Sequence, residues 1–217
     1  MTKRSYGDLC GIARALDVVG ERWALLVVRE LILGPKRFTD LRAGLPNVGP
    51  DVLAQRLKEL EASGVLRRRT LAPPAGSRVY ELTERGRALE PVLLELGRWG
   101  TFAPVPDGDP KLGVDSTVIA LRTLFDHEPA DGFDAIVELV LGGQPFRATV
   151  AGGELKLARG DAPDAAASIA SDPMTLAAVL WQGMPLSAAE RSGDLAVDGD
   201  RPAAKRFLTL FPLPEPD

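Results

Sequence analysis

The sequence has a single cysteine and a single histidine, and it has no long apolar run. Cys10 alone forms no intramolecular disulfide, and together with His127 it supplies too few soft ligands for a typical zinc site, so no metal or cofactor is expected. The apolar runs reach six residues, as at Trp23–Val28, whereas a membrane helix needs about 20. With no basic and apolar leader, we predict a cytoplasmic protein without membrane contact.

Enzymatic chemistry is not expected either. Asp126, His127 and Glu128 are consecutive, so on a helix their side chains diverge instead of converging on a substrate. The sequence contains no serine elbow and no glycine-rich phosphate loop. The absence of these catalytic arrangements favours a binding function over catalysis.

The net charge of −4 is unevenly distributed. Residues 1–106 contain 17 Lys and Arg against 12 Asp and Glu, whereas residues 107–217 contain 9 against 18. The first half is therefore +5 and the second −9, which indicates a polyanion-binding module joined to a module with another partner.

Helical patterns occupy the first 64 residues. Leu9 to Val19 and Trp23 to Leu33 have helical periodicity, and Gly34-Pro35 ends the second segment. Thr39 is expected to cap a short helix, Asp40–Leu45, and Pro50 starts a fourth helix that runs to Gly64.

A basic hairpin and a final helix follow. The extended runs Val65–Leu71 and Arg78–Leu82 flank a Pro/Gly-rich turn at 72–77, which is typical of a β-hairpin. Thr83 opens a helix with an apolar stripe. Short helices, a basic hairpin and a trailing helix predict a winged helix-turn-helix.

The fourth helix suits a DNA groove. Its apolar positions point inward, so Gln55 and Lys58 face outward as base or phosphate readers, and Gln pairs well with adenine. The wing arginines would contact the backbone, although a solvated strand edge is the alternative. The predicted DNA-binding residues are Arg37, Thr39, Asp51, Gln55, Arg56, Lys58, Arg69 and Arg78.

The segments 10–26, 29–31, 34–38, 53–61 and 82–86 together resemble the HxlR family of bacterial transcription regulators over residues 8–100. The resemblance implies a dimeric winged-helix protein that binds double-stranded operator DNA, with its first and last helices pairing across a two-fold axis. The predicted dimerisation residues are Leu89, Val92, Leu93, Leu96 and Trp99, although packing within one chain is an equal alternative on periodicity alone.

Two departures from the family pattern are present. Gly49 and Asp51 replace a serine cap and a basic residue, and the wing is one residue shorter. In the family, a cysteine at the position of Cys10 is often a redox-reactive thiol; a small packed apolar side chain is the alternative.

The second half predicts a helix ending near Asp126–Pro129, an antiparallel meander over 136–158, a short strand at 168–171, a helix at 173–181, a strand at 195–197 and a final helix. Helices covering one sheet face make an α+β layer.

Segments 169–176, 193–200 and 203–212 resemble the sterol-carrier-protein fold over residues 113–212. This resemblance implies a cavity for a hydrophobic or lipid-like small molecule; ordinary core packing is the alternative. The predicted lining residues are Phe146, Leu155, Leu157, Met174, Leu180, Trp181 and Phe207.

Together these observations predict an α+β protein: a winged-helix domain at 1–102, a linker at 103–112 and a sterol-carrier-like domain with an antiparallel sheet at 113–217. The predicted function is a dimeric, effector-responsive transcription regulator, not an enzyme. The alternatives are a lipid carrier and a repressor switched through Cys10.

Overall fold

The computed structural model describes residues 5–72, 76–105, 107–108 and 110–214. The chain divides into two compact units, Met1–Leu93 and Leu94–Asp217, and each is described by itself. Within the described ranges, no helix is long and apolar enough to cross a membrane.

The first unit is mainly helical, with one small hairpin. Its elements are α1 Gly11–Val19, α2 Ala24–Ile32, α3 Phe38–Gly44, α4 Pro50–Ala62, β1 Leu66–Thr70, β2 Arg78–Leu82, α5 Glu84–Arg87 and α6 Glu90–Gly100, the last of which continues past Leu93. The predicted strands and the first four predicted helices are confirmed, with shifts of a few residues at their ends. The single last helix predicted after Thr83 is wrong, because a turn at Ala88 and Leu89 divides it into α5 and α6. The centre of the predicted wing turn, Pro73–Ala75, lies outside the described residues.

The start of α3 differs from the expectation. The helix begins at Phe38, so Thr39 lies inside its first turn and the prediction that Thr39 caps it is wrong. The reason is Asp40, whose carboxylate accepts the Arg37 backbone N–H at 3.1 Å and so stabilises an earlier start.

The core of this unit orients α4. Leu53, Leu57 and Leu60 on one side of α4 are buried, and they join a cluster with Val27 and Val28 of α2. Burying a leucine side chain contributes roughly 1.5–3 kcal/mol. This burial holds the opposite side of α4 toward solvent.

A buried carboxylate connects α2 to the segment before α3. Glu30 is 2% exposed and accepts Lys36 Nζ at 2.6 Å and Arg29 Nη2 at 2.9 Å. Lys36 also exchanges backbone hydrogen bonds with Tyr80 of β2, at 3.0 and 2.8 Å. The segment before α3 is thus joined to the wing by an isolated antiparallel β-bridge.

Gly86 permits a close approach between α5 and the start of β1. A Cβ at this position would lie 2.1 Å from the Val65 carbonyl oxygen. Thr83 secures the same corner, because its Oγ1 accepts the Gly86 N–H at 3.1 Å and donates to the Gly64 carbonyl at 2.7 Å. The hairpin and the final helices are therefore held at a defined position.

The second unit is a five-stranded sheet with helices. After α7 Val114–Leu124 and α8 His127–Ala130 come β3 Ala135–Leu141, β4 Gln144–Ala151, β5 Glu154–Arg159, β6 Ala167–Ser171, α9 Pro173–Trp181, α10 Leu186–Ser192, β7 Leu195–Gly199 and α11 Arg201–Leu208. The short helices α8 and α10 were not predicted.

The sheet has the order β5-β4-β3-β6-β7, and its β3–β6 pair is parallel. The prediction of an antiparallel sheet is therefore wrong for this pair, and the sheet is mixed. Residues 160–166 connect β5 at one edge of the sheet to β6, which pairs with β3 on the side away from β4. Glu138 of β3 holds this crossover, since its carboxylate accepts the Ala162 N–H at 3.0 Å and the Ser168 hydroxyl at 3.1 Å.

One face of this sheet is the core of the second unit. Leu139 lies opposite both Phe146 and Ile169 in the strand register, and all three are fully buried. Phe207 and Phe211, from α11 and the residues after it, are also buried and meet edge to face at a centroid distance of 5.1 Å. The apolar periodicity of the strands therefore serves core packing.

Glu81 is the buried charge of the wing. It is 6% exposed, and it accepts Arg67 Nε at 2.6 Å and Arg69 Nε at 2.9 Å. Burial by itself would raise the pKa of Glu81, but the Arg67 hydrogen bond and the charge of Arg69 outweigh it and lower the pKa. The wing is therefore held by a carboxylate that must stay ionised.

Acid is expected to weaken this arrangement. Because the pKa of Glu81 is lower in the folded than in the unfolded chain, its stabilisation is present above the ordinary glutamate range and is lost as pH falls through the folded pKa. We expect Glu81→Gln to lower the thermal midpoint at neutral pH, and the difference from the unsubstituted protein to shrink in acid. Thermal unfolding across pH measures this, with the exposed Glu154→Gln as control. An equal difference at every pH would contradict it.

Candidate nucleic-acid interface and effector cavity

The exposed face of α4 carries three of the predicted readers. Asp51, Gln55 and Lys58 are exposed and spaced by four and three residues, so they lie on one face, opposite the buried leucines. Pro50 occupies the first helical position after Gly49. A rigid helix thus presents an acceptor, an amide and a cation to solvent.

Arg56 lies differently from its neighbours. Its side chain is 11% exposed, and it contacts Glu59 and lies 3.6 Å from Glu21 in the connection between α1 and α2. The predicted reader Arg56 therefore joins α4 to that connection instead of standing on the exposed face.

Two further predicted residues lie at the start of α3. Arg37 and Thr39 are both exposed, and Arg42 in the last turn of the same helix is exposed as well. These side chains add two cations and a hydroxyl to the helix that precedes α4.

The wing arginines have local carboxylate partners. Glu81 engages Arg67 and Arg69, and Glu61 lies 2.8 Å from Arg68, which also stacks over Tyr80 at 5.7 Å. These partners reduce the net charge of β1. Arg78 at the start of β2 is exposed, and no carboxylate partner is found for it within the described ranges.

Sequence reasoning missed the carboxylates that organise these groups. Glu59 accepts the Gln55 side-chain amide at 2.7 Å, and Glu81 lies opposite Arg67 in the hairpin register. The spacing of four residues between Gln55 and Glu59 was the signal that could have revealed the first pair. The contact between Glu81 and Arg67 depends on the register of the two strands, which cannot be derived from the length of the turn.

Apolar side chains are also exposed at α1 and, separately, on α6. Leu9, Ile12 and Leu16 at α1 are 93%, 72% and 42% exposed, and they recur at helical spacing. On α6, Val92, Leu96 and Trp99 are 55%, 45% and 76% exposed. Such clustered apolar side chains in contact with water are typical of an interface.

Two of the residues predicted for dimerisation pack within the chain. Leu93 is 9% exposed and belongs to the core cluster of the first unit, and Leu89 packs against that cluster. The stripe on α6 therefore has two sides: one packs within the chain, and the side with Val92, Leu96 and Trp99 faces outward.

Cys10 is exposed and occupies the position just before α1. Its backbone N–H donates to Asp8 at 2.8 Å, and its side chain makes no capping hydrogen bond. The side chain of Cys10 is therefore not packed within its own chain, and packing under a helix of a second copy stays an alternative.

In the second unit, the predicted effector residues do not come together. Phe146, Leu157 and Phe207 are buried in the core, whereas Met174 is 42% exposed. Leu155 is half-buried on β5, and Trp181 donates from Nε1 to the Phe211 carbonyl at 3.0 Å. The apolar pattern marked core positions, because periodicity alone does not distinguish a packed residue from a cavity wall.

A cavity of about 450 Å³ does open among α9, α10 and α11. Of the seven predicted residues, Leu180 lines it. The lining residues are Val179, Leu180, Met184, Leu186, Lys205, Leu208, Thr209, Phe211 and Pro212. The wall is thus mostly apolar, with one cation and one hydroxyl. Much of it is formed by residues after Trp181, including Leu186 of α10, a helix that was not predicted.

The α10–α11 end of this region is held by ion pairs. Arg201 hydrogen bonds to Glu190 at 2.6 Å and thereby lowers the pKa of that carboxyl, an effect that burial opposes and the charge of Lys205 reinforces. The single histidine, His127, contacts the backbone: its Nδ1 lies 2.8 Å from the Gly153 carbonyl oxygen. Among the described residues, no group of three or more metal-ligating side chains occurs.

Comparison with known proteins gives a consistent result for the first 104 residues. The HxlR-like helix-turn-helix family model matches residues 18–104. The transcriptional regulator YvaP of Bacillus subtilis is 41% identical over 88 residues, which cover 41% of this chain and 82% of YvaP. YodB of the same organism, also named a transcriptional regulator, is 38% identical over 85 residues, covering 39% of this chain and 76% of YodB.

Among solved structures, the oxidised form of the redox regulator HypR is 35% identical, with 45% of this chain and all of that chain covered and a TM-score of 0.40. The family match ends at residue 104, before the five-stranded sheet.

Proposed function

Since the chain belongs to the HxlR-like helix-turn-helix family of transcriptional regulators, we propose that it binds operator DNA through α4 and the β1–β2 wing. The observation that carries this proposal is the exposed face of α4, where Asp51, Gln55 and Lys58 stand opposite the buried leucines. A helix of this kind fits the major groove of B-DNA, where base edges present distinct donors and acceptors.

Exposed cations precede and follow α4 in the chain, which suits contacts with a phosphate backbone. Arg37, Thr39 and Arg42 of α3 lie before it in the chain, and Arg69 and Arg78 of the wing after it. The surplus of positive charge is +5 over residues 1–106, which is modest for a polyanion partner. Affinity from one protomer would be low, so two protomers are expected to bind together.

The exposed apolar side chains of α1 and those of α6 support that dimer. We assign Val92, Leu96 and Trp99 to the contact with a second copy, together with Ile12 and Leu16 of α1. A two-fold axis through such a contact brings the same patch of each protomer together.

The phosphate contacts give a prediction for salt dependence. We expect Arg78→Ala to weaken operator binding and to reduce the slope of log affinity against log salt by about one for each phosphate that the guanidinium neutralises. Gel retardation or fluorescence anisotropy over a salt series measures this. Lys156→Ala, an exposed cation of β5, serves as control and should leave the slope unchanged. A folded protein that shows no salt-sensitive retardation on its own upstream region would refute DNA binding.

The dimer contact gives a second prediction. Trp99→Ala removes a largely exposed indole, and a central interface aromatic contributes about 2 kcal/mol, so the dimer dissociation constant should rise roughly 30-fold. Sedimentation over a range of protein concentrations measures the change. Leu213→Ala, at a side chain 45% exposed in the second unit, is the matched control. An unchanged monomer–dimer equilibrium would place the interface elsewhere.

We further propose that the second unit binds a hydrophobic small-molecule effector in the cavity among α9, α10 and α11. Its volume of about 450 Å³ lies within the range of small-molecule sites. Lys205 and Thr209 supply polar groups at an otherwise apolar wall. Such a ligand regulates DNA binding only if its affinity differs between the DNA-competent and DNA-incompetent states.

Filling the cavity tests the effector site. Leu208→Trp should occupy the space and weaken binding of a polarity-sensitive naphthalene dye at least about tenfold, equal to about 1.4 kcal/mol. Dye fluorescence titration measures the affinity. Lys156→Trp adds the same side chain at an exposed position outside the cavity and should bind the dye like the unsubstituted protein. Equal dye affinity for both variants would refute the site.

Regulation through Cys10 is a second candidate, favoured by the exposure of its side chain before α1. Alkylation with a maleimide is then expected to lower operator affinity in the unsubstituted protein and to leave Cys10→Ser unaffected, because this is the single cysteine of the chain. Retardation on operator DNA before and after treatment measures the effect. Equal affinity before and after alkylation would exclude a thiol switch.

A further inference from the structure

Gln55 is held in one orientation by a carboxylate of its own helix. Its side-chain Nε2 lies 2.7 Å from Glu59 Oε1, one turn further along α4. A carboxylate only accepts hydrogen bonds, so the amide nitrogen of Gln55 must face it. The amide oxygen of Gln55 then points away from Glu59.

Glu59 is itself anchored. Its other carboxylate oxygen, Oε2, accepts from Arg56 Nη1. Arg56 is 11% exposed and extends to Glu21 in the connection between α1 and α2. Because the Arg56 contact occupies one oxygen of Glu59, the other oxygen stays directed toward Gln55.

The anchored pair changes how Gln55 reads a base. A free glutamine turns its amide over and offers either a donor or an acceptor. Turning over beside Glu59 would place the Gln55 oxygen against a carboxylate oxygen, which is repulsive, and more so in a groove from which water is excluded. Gln55 therefore presents its oxygen outward, and the second N–H of the same amide is the donor that remains to it.

We infer that Glu59 is a positioning residue that directs the side-chain oxygen of Gln55 outward in DNA recognition. This inference rests on the proposed binding of α4 in the major groove. The exocyclic amines of adenine and cytosine donate to such an oxygen, whereas the keto oxygens of guanine and thymine repel it. The strand that faces Gln55 is therefore read as adenine or cytosine against guanine or thymine.

Base preference tests the inference directly. In competition binding with operators varied at every position, the unsubstituted protein should favour adenine and cytosine over guanine and thymine at one position per half-site by at least about fivefold. Gln55→Ala should abolish that preference. Glu59→Gln places beside Gln55 an amide that can also donate, so the Gln55 amide can turn over. The affinity for operators with guanine or thymine at that position alone should then rise toward the affinity for operators with adenine or cytosine.

The control is Glu61→Gln, which removes a carboxylate of the same helix that pairs with Arg68. It should keep the preference at the Gln55 position. If Glu59→Gln or Gln55→Ala keeps that preference too, the inference is wrong while DNA binding by α4 stands. If the unsubstituted protein binds no operator, the proposed function fails and this inference fails with it.

A readout without DNA guards against a folding defect in the variants. In the free protein, the side-chain NH₂ resonances of Gln55 should shift in Glu59→Gln and stay in place in Glu61→Gln, with backbone spectra otherwise preserved. Gln55 resonances that are identical in all three proteins would show that the pair does not form in solution and would overturn the inference.

Discussion

The packing of the α4 leucines against α2 is the constraint on which the first unit depends. Leu53, Leu57 and Leu60 are buried with Val27 and Val28, and a helix buried on one side must present its other side to water. That packing places Asp51, Gln55 and Lys58 in one row. The buried Glu30–Lys36 pair then holds the segment before α3 against α2, and the close approach at Gly86 holds α5 against the residue before β1.

Carboxylates shape the cationic surface as much as the cations do. Glu81 accepts from Arg67 and Arg69, and Glu59 accepts from both Gln55 and Arg56. A count of lysines and arginines therefore overstates the charge that β1 presents to a polyanion. Nor does such a count show which cations are exposed to a binding partner: on α4, Lys58 is exposed, whereas Arg56 is largely buried and paired with Glu59.

The second unit shows where periodic patterns stop being informative. Alternating apolar residues predicted its strands well, yet they did not distinguish the core residue Phe146 from a cavity wall, because both are apolar. The parallel pairing of β3 with β6 depends on the crossover at 160–166 and on Glu138, a contact between residues distant in sequence. No local pattern encodes such a pairing.

The sequence by itself determined the order of most helices and strands in the first unit, the family resemblance and the exposed row of Asp51, Gln55 and Lys58 on α4, because helix periodicity and short motifs are local properties. Only the tertiary structure decided that Arg56 is tethered, that Leu89 and Leu93 pack within the chain, and that a cavity opens among α9, α10 and α11. These outcomes depend on which side chains meet across the fold. The burial of a side chain and its hydrogen-bond partners depend on tertiary contacts, so they are defined only when the helices and strands are packed together.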